Sequence, residues 1–179
     1  MARYFTKSFK PDIILGDVSN IIASNKTDKP FSAGDVLFDW QAIDIPRGTH
    51  AIMDGLIHMF GEDGSSAPDA DVMLLIAKSN SGVAPTSLGA VNAAVTGCFE
   101  LPEVIMGVMK FEGSANREHK LNYNRGSIYF FNGGGNDGQH GPIIIEPEGK
   151  DFSTQPAGQT QRIYVAGIAG GSHDFSTGV

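Results

Sequence analysis

The sequence predicts an all-β protein: a β-sandwich, with the jelly roll as one form of it, carrying extended N- and C-terminal arms. Three observations lead there. Glycine and proline are frequent, 23 and 9 of 179 residues, and they mark many turns. Several runs of about six to ten residues alternate in polarity or are continuously apolar, as strands do. No stretch holds a helical apolar period long enough to form a convincing long helix. The predicted organisation is an arm with edge strands over residues 1–34, a sandwich domain over 35–169 and a flexible tail over 170–179.

The elements follow in order. Arg3 to Phe9 alternates Tyr4, Thr6 and Ser8 against Phe5, Lys7 and Phe9, which suits an edge strand or an extended arm. Asp12 to Ile22 is extended and apolar, and Ser24 to Ser32 is a polar linker. Asp35 to Ile45 is the clearest strand, with Val36, Phe38, Trp40 and Ala42 on one face; Leu37 and Ile43 on the other imply cover on both sides. Ile45-Pro46-Arg47-Gly48 ends it, because Pro46 has no N–H for a ladder. Thr49 to Phe60 reads as one strand with a core face of Ala51, Met53, Gly55, Ile57 and Met59, and an amphipathic face of His50, Ile52, Asp54, Leu56, His58 and Phe60.

Gly61 to Ala70 is a loop, Asp71 to Lys78 a buried strand and Ser79 to Ser87 a second loop. Leu88 to Val95 is Ala-rich and predicts one or two helical turns, weakened by Gly89. Val104 to Phe111, Ser127 to Phe131 and Arg162 to Ala169 read as strands. In the last, Ile163, Val165 and Gly167 oppose Arg162, Tyr164 and Ile168. Pro142 to Glu146 is a short apolar run, and Asn132 to Gly141 is a loop tip. The sum is about eight to ten strands.

Composition narrows the function classes. Charged residues make up 18% of the chain, low for a soluble protein, which points to a surface partly covered by neighbours in an assembly. A net charge of −7 and the lack of a Lys/Arg run oppose binding to nucleic acid or to an anionic membrane. The N-terminus has no apolar signal region, and the longest apolar run, Val72 to Ala77, is too short to span a bilayer, so a cytoplasm-like setting is expected. Cys98 is the single cysteine; it excludes an intrachain disulfide and lacks a neighbouring base that would activate a thiolate.

The residues that could carry chemistry do not form a recognisable set. His50 and His58, eight apart on one strand, would stand roughly 26 Å apart, too far to share a metal. His119 sits in the charged loop Asn116 to Lys120, and His140 and His173 are isolated. Asp63, Asp69 and Asp71 flank one loop but lack the order of ligands of a helix-loop-helix calcium site. Gly133 to Gly138 is one Gly/Asp-rich copy without the spacing of a calcium repeat or the Lys-Ser/Thr of a phosphate loop. Glu100, Glu103 and Glu112 are scattered carboxylates that spacing does not pair, and no Gly-x-Ser-x-Gly occurs. Trp40 reads as a core anchor, with a sugar-stacking platform as the alternative. Asn25-Lys26-Thr27 matches a glycosylation acceptor, of little meaning without a secretory signal. The expectation is a protein without enzymatic activity, cofactor or metal.

The strings Val36-Leu37-Phe38-Asp39-Trp40, Ile45-Pro46-Arg47-Gly48 and Ala77-Lys78-Ser79-Asn80-Ser81-Gly82-Val83-Ala84-Pro85-Thr86-Ser87-Leu88-Gly89 carry a resemblance. Over residues 34–94 the chain resembles virion structural proteins of tailed phages of marine and freshwater bacteria, cyanophages among them. The resemblance implies a bacteriophage virion protein assembled in the host cytoplasm, and in its favoured form a capsid decoration (cement) protein. Such a protein would bind the major capsid protein at the outer capsid surface, stabilise contacts between capsomers and act as a homo-oligomer, a trimer being compatible with capsid three-fold positions. Residues 1–22 and the tail from Gly170 would serve as bridging arms. Two other classes stay open. One is a tail or fibre-associated protein binding host glycans through Asn132 to Gly141. The other is a soluble β-sandwich enzyme or small-ligand binder relying on His58 or Asp54.

Overall fold

The computed structural model describes residues 5–11, 31–60, 71–80, 83–97, 101–111, 120–123, 126–132, 142–146 and 160–172. Their regular secondary structure is almost entirely strands in antiparallel sheets, the all-β fold the turn density and alternation predict. In chain order they are β1 (Val36–Pro46), β2 (His50–Ile52), β3 (Asp54–Phe60), β4 (Val72–Ala77), a single helical turn α1 (Leu101–Val104), β5 (Ile105–Phe111), β6 (Lys120–Tyr123), β7 (Gly126–Asn132), β8 (Ile143–Ile145) and β9 (Thr160–Ala169). They assemble as a four-stranded sheet ordered β1-β9-β4-β5, a pair β2-β8 and a three-stranded sheet β3-β7-β6.

The four-stranded sheet is the centre of the molecule because β4 and β9 are apolar on both faces. Val72, Leu74 and Ile76 of β4 join Ile163, Val165 and Ala169 of β9 and Met109 and Phe111 of β5 in the main core. Ile145 of β8 completes that core, with Ile52, Ile57 and Ile143 packed against it from β2, β3 and β8. The opposite face holds Leu75, Ala166 and Ile168 with Val36 and Leu88, and beside them Ala77, Val104 and Tyr164. Each fully buried Leu, Ile or Val contributes about 1.5–3 kcal/mol, so central strands covered on both faces dominate stability. The alternation read for β9 is the one observed.

Glycine sets how closely the layers approach. A Cβ on Gly107 of β5 would stand 2.4 Å from Cγ2 of Ile143, so the missing side chain lets β8 rest directly on β5.

Three expectations are corrected. The simple alternation of β1 fails because its register against β9 shifts twice, between Val36 and Phe38 and between Phe38 and Gln41. These bulges re-aim side chains: Val36 enters one cluster, Leu37 and Phe38 the other, and Trp40 packs back against the side of Val36. Thr49 to Phe60 is two strands: β2 pairs with β8, β3 pairs with β7, and Met53 is the step between them. The step inverts the buried parity, so Ile52 and then Ile57 pack on the core while Ala51 and Met53 face solvent.

The third correction is Leu88 to Val95, which is a strap and not a helix. Gly89 (φ 127°) and Asn92 (φ 57°) take positive φ values that break helical continuity. The backbone is committed elsewhere: Val36 N–H donates to Ala93 O (2.9 Å), Asn92 N–H to Val36 O (2.9 Å) and Thr96 N–H to Leu88 O (2.8 Å). Phe31, within the segment assigned to the arm, is one of the most buried side chains and belongs to the main core. Residues 5–11 lie outside any strand.

Candidate interaction surface

The segments Val36 to Trp40 and Ala77 to Gly89 are physically coupled. Asp39 Oδ1 accepts the Leu88 N–H at 3.0 Å, and Trp40 Nε1–H donates to Thr86 O at 2.9 Å. Adjacent residues of β1 therefore clamp both ends of Thr86-Ser87-Leu88, and the strap covers the second face of the main sheet. Trp40 is partly buried and packs against two clusters, as an anchor does. Pro46-Arg47-Gly48 is pinned from β9: Gly48 N–H donates to Gln161 Oε1 at 3.2 Å, and Gln161 Nε2 donates back to Gly48 O.

This anchoring presents an apolar strip on the outside of β2, β3 and β8. Ala51 stands opposite Ile144 in the β2-β8 register, so the two side chains share a face, and both are exposed. Met53 follows at the step between sheets and Leu56 on β3. Relative exposure is 54% for Met53, 58% for Leu56 and 51% for Ile144. Asp54 and His58, also exposed, share the Leu56 face of β3. At its other end Ile144 lines an open cleft of about 370 Å³ together with Lys78, Glu103, Ile105, Met106 and Glu146. Exposed large apolar side chains interleaved with charged ones are what a protein-binding surface presents.

No known protein family, curated protein or solved structure matches this chain.

The histidines of β2 and β3 are separated by the step at Met53. His50 Nε2–H donates to Pro46 O at 2.7 Å, and its ring meets Phe5 edge-on with centroids 5.1 Å apart. Glu103 is exposed at the cleft, and Asp71 precedes β4, its carbonyl accepting Gly170 N–H at 2.8 Å. Among the described residues no three His, Cys, Asp or Glu side chains come together as metal ligands, and no helix is long and apolar enough to cross a membrane. Cys98, Glu100, Glu112, His119, His140, His173, Asp63, Asp69, Gly133 to Gly138 and Asn25 to Thr27 lie outside the described residues, as does the 133–141 loop tip.

Sequence reasoning placed Ala51 and Met53 in the core and gave Ile144 no role. Only pairing with β8 on one side of Met53 and β7 on the other turns these residues outward. The Gln161–Gly48 clamp carried no sequence signal, since it joins residues 113 positions apart.

Proposed function

We propose that the protein is a non-enzymatic structural component of a tailed-phage virion, a capsid decoration protein that binds the outer surface of the major capsid protein and stabilises the contacts between capsomers. The observation that carries this reading is the strip Ala51, Met53, Leu56 and Ile144. Met53, Leu56 and Ile144 are large apolar side chains more than half exposed, which is what an assembling surface displays before it is covered. The resemblance of residues 34–94 to virion proteins supplies the partner. In that region Asp39, Trp40 and the strap form a rigid back, leaving the strip on the far side of the main sheet to face the capsid.

The test is co-sedimentation of the purified chain with phage heads that lack it. Wild type should pellet with the heads at saturable stoichiometry. Met53→Glu and Ile144→Glu should each reduce binding at least tenfold with unchanged circular dichroism and melting temperature, because both positions are exposed. Wild-type binding to tails instead of heads, or undiminished binding by both variants, would refute the reading.

A further inference from the structure

Residues 5–11 dock on the body of the protein in an unusual way. They pass both ends of β1, with Phe5 against His50 just beyond its C-terminal end and Phe9 against Phe38 near its start, so the arm travels opposite to β1. The Phe9 and Phe38 rings meet edge-on with centroids 6.1 Å apart. The arm residues form no strand, and Phe5 and Phe9 stay 42% and 39% exposed. The receiving positions are fixed in the body: His50 by its bond to Pro46 O, and Phe38 by its seat on the backbone of Gly167. A built receptor thus holds a loosely bound ligand whose anchoring rings remain partly wet.

We propose that this receptor is occupied in the assembled protein by the arm of a second copy, with Phe5 and Phe9 exchanged reciprocally between copies. Charge suits another copy of this chain as the donor better than an acidic foreign segment. Residues 1–11 hold three of the chain's 13 Lys and Arg (Arg3, Lys7 and Lys10) and none of its 20 Asp and Glu. The remainder of each copy therefore carries ten basic against 20 acidic residues and attracts a basic arm. Chain length permits the exchange: residues 12–30 between arm and body reach up to about 60 Å when extended. Exchange repeats between copies the contacts made within one copy, and so joins two chains while each arm stays covalently part of its own. The inference deepens the assembly role proposed above by naming the second copy as a partner, and it rests on that reading only for its purpose.

The test uses full-length chains with Cys98→Ser, so that each carries one cysteine. Chains bearing Phe5→Cys are mixed, after co-refolding, with chains bearing His50→Cys and distinguished by a C-terminal tag. Under mild oxidation a disulfide-linked heterodimer should be the main product, well above a control pairing of Phe5→Cys with Val83→Cys, another exposed position. Absence of that excess, including the case of a monomeric chain, would overturn the proposal. A second measurement does not depend on cysteine. Deleting residues 1–11 should lower the mass measured by light scattering to that of the monomer while leaving the melting temperature within a few degrees. An unchanged oligomer would refute exchange. Head binding is scored separately: a chain that exchanges arms without binding heads overturns the capsid role alone, and one that binds heads without exchange overturns the exchange alone.

Discussion

The ring of Phe38 lies on the backbone of Gly167. A Cβ built at Gly167 would stand 2.3 Å from Cε1 and 2.7 Å from Cδ1 of Phe38, and the two residues are register partners across β1 and β9. Phe38 reaches this position because one bulge of β1 precedes it and another follows. The glycine within the apolar run Ile163 to Ala169 of β9 is explained by the ring it accommodates.

Gly167→Ala should therefore destabilise the protein by about 1–3 kcal/mol, the cost of overpacking a core. Phe38→Ala should cost about 3–5 kcal/mol. The double variant should lose clearly less than the sum, because removing the ring also removes the clash. Urea unfolding of the four proteins checks this, and strict additivity would show that the ring and the glycine do not constrain each other.

Gln161 is buried and binds both backbone groups of Gly48. Gln161→Ala should cost about 1–2 kcal/mol, limited by water reaching exposed Gly48. Gly48→Ala tests the same turn by another route. A Cβ there meets nothing within 4 Å, yet φ is 120°, so the expected loss of about 1 kcal/mol or more is backbone strain alone. Thermal melts should show both losses; an unchanged Gly48→Ala melting temperature would mean that the turn relaxes freely.

Closure of the strap depends on Gly97, where a Cβ would fall 1.8 Å from the carbonyl oxygen of Ser87. Gly97→Ala should push the Thr86 to Leu88 segment away from β1 and break the Trp40–Thr86 hydrogen bond. Trp40 is the only tryptophan, so its fluorescence reports the strap directly. The expected result is a red-shifted emission maximum with the β-sheet circular dichroism retained. Trp40→Ala should cost about 3 kcal/mol, at the low end for a tryptophan deletion because the ring is only partly buried. An unshifted spectrum in Gly97→Ala would show that the strap holds without this close approach.

Arg162 Nε–H donates to Asp44 Oδ1 at 2.9 Å across β1 and β9, with both side chains substantially exposed. That hydrogen bond is the main reason the Arg162 pKa is raised above the ordinary guanidinium value. A raised base contributes stability that is complete below its unfolded pKa and is lost only above it, so this guanidinium adds no pH dependence between about pH 5 and 9. Asp44→Ala should cost no more than about 0.5 kcal/mol and less at high salt, as an exposed pair does. A loss above about 1.5 kcal/mol would show that the pair is shielded from solvent.

The strands themselves were legible in the sequence. β1, β4, β5, β7 and β9 lie within one or two residues of the runs read from alternation and apolar content, because the two-residue period and the turn residues between strands are local properties of the chain. Pro46 and Gly48 marked the end of β1 for the same reason. What tertiary structure decided was which way several of those residues face. Ala51 and Met53 share the pattern of core positions, but they turn outward because their chain leaves β8 for β7 at Met53. Leu88 to Val95 is Ala-rich enough for a helix, but its backbone hydrogen bonds go to Val36 and its neighbours, more than 50 residues earlier. The apolar strip and the arm receptor depend on such partners. Alternation fixes a strand's two faces, while which face is buried is settled by a distant strand that supplies hydrogen bonds and covers one side.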